Sequence, residues 1–266
     1  MGDRKRKGIV IAFVIEKGGV AKSTLTKQCG IELGVTKEGG DDKVLLIDLD
    51  GQGAGLTTYL GIKDNQERQV MYDVLRRNVP VQDVIVKVRD RLDIIPSNAD
   101  NRNLESVPLK TMKSTIRQLK DEYDYILIDV GPKADKGHVL SLCAADYLII
   151  PATPTADMDK SLKDMVDTVE EVQDTINPMM HVLGIVIVKD ETITNLGKSS
   201  KRVIEEYAKK LDTTVFKASL RNATAISETV NTFNGITEDK PRHPAADDVR
   251  AIVREIEEKI QEVRHG

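Results

Sequence analysis

An unbroken apolar run, Gly8-Ile-Val-Ile-Ala-Phe-Val-Ile15, passes directly into Glu16-Lys17-Gly18-Gly19-Val20-Ala21-Lys22-Ser23-Thr24, and a helical pattern follows. Apolar residues at every position, rather than every second one, predict a strand covered on both faces, as in the middle of a parallel sheet. The small residues that follow let successive backbone N–H groups curl around an anion, at the start of a helix whose first turn carries partial positive charge. Strand, glycine-rich turn and helix, in that order, are the context in which such a motif predicts a phosphate cradle rather than an ordinary turn. In that cradle Gly18, Gly19, Val20, Ala21 and Thr24 present backbone, and Lys22 reaches the β and γ phosphates. Ser23 offers a hydroxyl to Mg²⁺, a hard ion that prefers oxygen ligands.

The rest of the chain repeats the alternation of short apolar runs with longer helical patterns that marks βαβ units. Strands are expected at Gly8 to Ile15, Lys43 to Leu49, Leu92 to Pro96, Asp124 to Asp129, Tyr147 to Pro151, Val182 to Val188 and Thr214 to Leu220. Helices are expected near Ser23 to Gly34, Lys110 to Lys120, Lys160 to Ile176, Lys198 to Leu211 and Ala245 to Val263. The expectation is one α/β domain over 1–266, a doubly wound and mostly parallel sheet flanked by helices, with 1–7 a flexible basic terminus.

Three further segments fit the same site. Val44-Leu-Leu-Ile-Asp48-Leu-Asp50 ends in two carboxylates two residues apart, which share one face at the C-terminal edge of the sheet, where open α/β proteins hold ligands. Tyr123-Asp-Tyr-Ile-Leu-Ile-Asp129 ends in an acid suited to orienting Mg²⁺ through its water shell. Val182 to Val188 is followed by Lys189-Asp190, which suits contact with a base and equally suits an ordinary turn.

Composition limits the alternatives. The 266 residues are 40% hydrophobic and 31% charged, with a net charge of −4, which argues against a uniformly basic nucleic-acid coat. The longest apolar runs fall well short of the ~20 residues a membrane helix needs. Cys29 and Cys143 each lie in an apolar stretch and read as buried packing residues in a reducing, cytoplasmic setting.

At this point the residues resemble the ParA/MinD group of deviant Walker-type ATPases. Lys17, Gly18, Gly19, Lys22 and Ser23 match its Lys-Gly-Gly-x-x-Lys-Ser/Thr pattern. The likeness continues through Asp48-Leu-Asp50-Gly-Gln52-Gly, Tyr72-Asp-Val-Leu, Leu92-Asp-Ile-Ile-Pro-Ser-Asn, Asp129 with Pro132, Ile150-Pro-Ala-Thr-Pro, Thr194-Asn-Leu and Leu220-Arg-Asn222. The resemblance implies the P-loop NTPase fold, ATP and Mg²⁺ as ligands, and slow ATP hydrolysis in a sandwich homodimer. It implies that Lys17 reaches the phosphates of the other subunit, that Asp50 positions the attacking water, and that Ser23, Asp50 and Asp129 serve the metal. Arg221 and Asn222 join Lys189 and Asp190 as expected nucleotide contacts. This chain departs from the pattern at Ala21, where the group has glycine and a Cβ would strain a backbone needing positive φ. It departs again at Gly51 and Gly131, which replace prolines, and at Ala54-Gly55, one residue longer.

Within the group, the C-terminal helix separates the branches. Val249, Ile252, Val253, Ile256, Ile260 and Val263 recur at helical spacing among Glu255, Glu257, Glu258 and Glu262, with no aromatic. That pattern predicts docking on the core and no membrane contact. From Lys198 to Arg221 there are seven basic residues against three acidic ones. Such a stretch can bind DNA phosphates without reading sequence, or be a solvated helix face. The resemblance favours the former, with Lys198, Lys201, Arg202, Lys217 and Arg221 as the nonspecific DNA contacts. It implies a nucleoid-associated partition ATPase switched off by a ParB-like centromere-binding partner. A related ATPase positioning a non-DNA cargo or a division site, and an ATP-binding regulator with little hydrolysis, remain open on the residues alone.

Overall fold

The structure is a computed structural model; it describes the chain except for residues 1–7, 53–54, 64, 134, 191–194 and 266, and the side chains of 190 and 195–198. Eight strands form one sheet in the order β3-β4-β2-β5-β1-β6-β7-β8. They are β1 (Ile9–Phe13), β2 (Val44–Asp48), β3 (Val86–Arg89), β4 (Leu92–Ile95), β5 (Tyr125–Asp129), β6 (Tyr147–Ala152), β7 (His181–Asp190) and β8 (Leu220–Arg221). All neighbours are parallel except β3, which pairs antiparallel with β4 at the edge.

The helices are α1 (Lys22–Ile31), α2 (Leu56–Tyr59), α3 (Met71–Arg77), α4 (Leu109–Leu119), α5 (Lys136–Ala144), α6 (Met158–Thr175), α7 (Asn195–Lys210), α8 (Thr224–Thr232), α9 (Ile236–Asp239) and α10 (Pro244–His265). The central strands explain the two-sided cover. Val10, Ala12 and Val14 of the first strand segment join one apolar cluster, with Met112, Ile116, Leu162 and Met165 of α4 and α6. Ile9, Ile11 and Phe13 point the other way, toward Leu25 of α1 and Val249, Ile252 and Ile256 of α10. Period-2 alternation therefore persists geometrically although both faces are apolar.

Three expectations change. Thr214 to Leu220 is not a strand: Val215 makes an isolated parallel bridge to Ile185, and the ladder resumes only at Leu220 and Arg221. The first helix stops at Ile31 and continues as a wider π turn over Glu32–Thr36. Val263, counted with the docked stripe of the last helix, is 39% exposed, whereas Val249, Ile252, Val253, Ile256 and Ile260 are buried as expected. Cys29 and Cys143 are buried and unpaired.

Candidate functional site

β1 lies between β5 and β6, the place where the strand order reverses direction, and its C-terminal end opens into the glycine-rich loop. Gly19 holds a φ of 76° and Ala21 a φ of 55° with ψ of 30°, both left-handed. The two left-handed residues turn the chain so that α1 begins at Lys22 without a side-chain cap. Its first N–H groups thus keep their capacity for an anion. Gly18 through Thr24 line a cavity of about 380 Å³ together with Asp50, Gln52, Tyr59, Val130, Pro132, Lys189 and Ser227.

Four charged groups gather at this end of the sheet: Lys22 at the start of α1, Asp48 and Asp50 at and just past the end of β2, and Asp129 at the end of β5. Lys22 is 6% exposed, and its Nζ donates to the Lys17 carbonyl at 2.8 Å. Burial lowers its pKa, while the charges of Asp129 and Asp50 act in the opposite direction. Asp48 and Asp129 are register neighbours at the ends of β2 and β5. They differ in what holds them. Asp48 accepts from the Asp50 N–H at 2.9 Å, the Thr57 N–H at 2.8 Å and the Thr57 hydroxyl at 2.6 Å. Even so, burial pushes its carboxyl up to about 6. Asp129 is fully buried, and neither of its oxygens has a hydrogen-bond partner. Burial first, then the charge of Asp48, hold its carboxyl well above the usual range, against the opposing charge of Lys22.

A buried carboxylate with both oxygens unspent, beside a serine hydroxyl and at a helix N-terminus, is a donor set that fits Mg²⁺ shared with phosphate oxygens. Asp50 is the carboxylate that faces the cavity; it accepts from the Gln52 N–H at 2.9 Å. The sequence pair Asp48 and Asp50 thus separates into a structural anchor and a cavity group. The loop between them is fixed from below: Ser97 Oγ donates to the Asp50 carbonyl at 2.5 Å and Asn101 Nδ2 to the Asp48 carbonyl at 3.2 Å. Both glycines that stand where the pattern has prolines have a local reason. A Cβ on Gly51 would lie 2.8 Å from the Arg102 backbone nitrogen, and one on Gly131 would lie 2.9 Å from Asp50 Oδ1.

The remaining expected residues are distributed as follows. Lys17 is turned aside, donating to Thr155 Oγ1 at 3.1 Å and pairing with Asp157 at 2.6 Å. Lys189, itself left-handed at φ 52°, donates to the Gly19 carbonyl at 2.8 Å and so closes the loop from β7. The Asp190 and Lys198 side chains fall outside the described residues. Arg221 is held by Asp248 through two bonds, Nε to Oδ2 at 2.6 Å and Nη2 to Oδ1 at 2.7 Å. Neither Arg221 nor Asn222 lines the cavity among the described residues. Lys201 is half-buried and Arg202 exposed on α7, and Lys217 is exposed beyond it.

Tyr59 and Ser227 line the cavity without a sequence signal that marks them. Neither belongs to a motif, and both arrive through short helices, α2 and α8, whose placement is tertiary. No described helix is long and apolar enough to cross a membrane.

Residues 8–182 match the AAA domain family. The chain is 31% identical to the chromosome partitioning protein ParA of Caulobacter vibrioides over 229 residues, covering 82% of this chain and 84% of that protein. It is 29% identical to the sporulation initiation inhibitor protein Soj of Bacillus subtilis, over 94% of this chain and 98% of that one. Its fold is similar to that of the cell division ATPase MinD of Pyrococcus furiosus, with a TM-score of 0.75 at 22% identity over 94% of this chain and 99% of that one. With these relationships and an eight-stranded, mostly parallel sheet among the described residues, the chain belongs to the ParA/MinD family of P-loop ATPases.

Proposed function

We propose that this chain is a DNA-partition ATPase: it binds ATP with Mg²⁺, pairs with a second copy around the nucleotide, and in that state holds DNA without sequence preference. The observation that carries the reading is that Lys22, Ser23 and Asp50 line a cavity together with the glycine-rich loop, with the buried, unbonded Asp129 carboxyl at the end of β5 behind it. Magnesium ATP supplies a transferable phosphoryl group and a cation that neutralises its charge. The residues of this chain do the positioning. Lys22 and the first turn of α1 hold the phosphates, Ser23 and Asp129 hold the ion, and Asp50 orients the water. Lys17, released from Asp157, serves the site of the second copy.

The DNA-holding surface is the basic stretch from Lys198 through Lys201 and Arg202 to Lys217. Arg221 belongs to it only when its two bonds to Asp248 are exchanged for phosphate. Release follows hydrolysis, which a ParB-like centromere-binding partner accelerates, at the nucleoid. The relationship to a chromosome partitioning protein supports partition over the positioning of another cargo.

The test is a DNA-binding titration with ATP, ADP and no nucleotide at several salt concentrations. Binding with ATP alone, falling steeply with salt, is expected. The triple variant Lys201→Ala, Arg202→Ala, Lys217→Ala is expected to lower the salt slope by roughly 0.9 for each DNA phosphate it no longer neutralises. Equal binding in all three nucleotide states refutes the switch. An unchanged slope in the triple variant refutes the surface.

A further inference from the structure

Asp48 does more than close the end of β2. Its Oδ2 accepts both the N–H and the hydroxyl of Thr57, at 2.8 and 2.6 Å, and the Ser97 N–H donates to that same hydroxyl oxygen at 2.9 Å. These bonds fix the start of α2 to the floor of the site. The chain is seated as firmly just past its other end, where Gly61 holds a φ of 77° so close to the Phe233 ring that a Cβ would come within 2.7 Å of it. α2 also packs against α8. A four-residue helix has little stability of its own, so this anchoring is what aims its side chains.

Gly55, the residue before α2, is in contact with both carboxylate residues: a Cβ on it would lie 3.5 Å from Asp48 Oδ2 and 3.6 Å from Asp50 Cβ. One turn on, the Tyr59 N–H donates to the Gly55 carbonyl at 3.2 Å. Residues four apart share a helix face, so Tyr59 stands one turn out from Asp48 and Asp50 on the side of α2 that meets them. Independently, Tyr59 lines the cavity with Lys22, Ser23 and Asp50, the single aromatic among the described lining residues. It is partly buried, and its hydroxyl makes no hydrogen bond among the described residues.

A phenol oxygen both donates and accepts. An attacking water has two O–H bonds to place and needs a lone pair directed at phosphorus, and a single carboxylate oxygen fixes only one of those bonds. We infer that Tyr59 is a further catalytic residue of this site: with ATP bound, its phenol oxygen accepts one hydrogen of the attacking water while the Asp50 carboxylate accepts the other. In that step the water oxygen forms a bond to the terminal phosphorus, the bond from phosphorus to the bridging oxygen breaks, and its electron pair stays on ADP. One water hydrogen remains on the phosphate formed, the other leaves as a proton to solvent, and the phenol is unchanged.

This rests on the reading of the cavity as an ATP site, and the experiment separates the two. Tyr59→Phe keeps the ring and removes only the hydroxyl. Single-turnover hydrolysis at saturating ATP and Mg²⁺ is compared with calorimetric affinity for the imido analogue of ATP, which cannot be hydrolysed between its last two phosphates. Expected is hydrolysis slowed at least roughly threefold, as for one neutral hydrogen bond lost from the transition state, with analogue affinity within about twofold of wild type. Unchanged hydrolysis overturns the inference. So does a loss of analogue affinity equal to the loss of rate, because the ring then shapes the pocket and the hydroxyl holds no water. Wild-type protein that binds the analogue and does not hydrolyse ATP overturns it as well. Wild-type protein that binds no nucleotide refutes instead the ATP reading on which the inference stands.

Discussion

Ala21→Gly tests the phosphate loop at its most strained point. Ala21 carries a methyl group at φ 55° and ψ 30°, a conformation that costs an L-residue roughly 1–2 kcal/mol. Glycine removes that cost and gives back about 0.4–1 kcal/mol through the greater freedom of the unfolded chain. The net is a stabilisation of about 0.5–1 kcal/mol, or ~1–4 °C in Tm for a domain of this size. The opposite change, Ala21→Val, places a β-branched side chain in the same well, a true outlier whose cost is about 1–3 kcal/mol. Urea unfolding without nucleotide measures both. Glycine that destabilises by more than about 1 kcal/mol, or valine that equals wild type, refutes a left-handed residue 21 and the loop geometry built on it.

Three other expectations follow from single groups. Asp129→Asn replaces a buried carboxyl, neither of whose oxygens has a donor, with a neutral group of the same size, so the protein without nucleotide is expected to stay within about 1 kcal/mol of wild type while losing its stabilisation by Mg²⁺ and ATP; a thermal shift that survives the change counts against Asp129 as a metal group. Lys27 has a folded pKa of about 8 against an ordinary 10.5. Between those values the unfolded chain binds a proton that the folded one lacks, so stability rises with pH, by up to about 3 kcal/mol in all, and Lys27→Met is expected to lack that part of the rise when urea midpoints at about pH 7.5 and about pH 9.5 are compared. Gly131→Ala puts a Cβ 2.9 Å from Asp50 Oδ1, which must swing away, so turnover is expected to fall while ATP affinity stays within about twofold; equal turnover refutes Asp50 as the water-orienting group.

Much of this is legible in the sequence because the informative segments are local. The central strands declare themselves by uninterrupted apolar residues, and the glycine loop follows one of them directly. Ala21 is the clearest case: a residue type that disagrees with the motif around it points to a strained positive φ, and the structure holds it at 55°. The short edge strand β3 is not legible, since Val86–Arg89 alternates apolar and charged residues over only four positions. Thr214 to Leu220 has the composition of a strand, but most of it is carried past the sheet edge with backbone N–H groups of Lys217 and Ala218 taken by Glu255 of α10, a partner 38 and 37 residues away. The division of labour between Asp48 and Asp50 is hidden for the same reason. Which carboxylate becomes the anchor depends on the N–H and hydroxyl of Thr57, nine residues on, and no spacing rule connects them.

The lysines of the site bear on what nucleotide binding must change. Each has an acceptor within the protein: Lys22 the Lys17 carbonyl, Lys189 the Gly19 carbonyl, and Lys17 the Asp157 carboxylate. Two of the three acceptors belong to the loop itself, so here the cations brace the curve of the backbone from inside it. A triphosphate competes with those carbonyls for the same ammonium groups, and its gain over them is the difference between a charge-assisted bond to an anion and one to a neutral carbonyl, not the full strength of either. Lys17 is different, because its acceptor already carries a charge and lies 73% exposed, where water screens the pair. Exchanging Asp157 for a phosphate therefore costs little, and the side chain best placed to leave its resting partner is the one that the sandwich dimer would ask to cross to the other subunit.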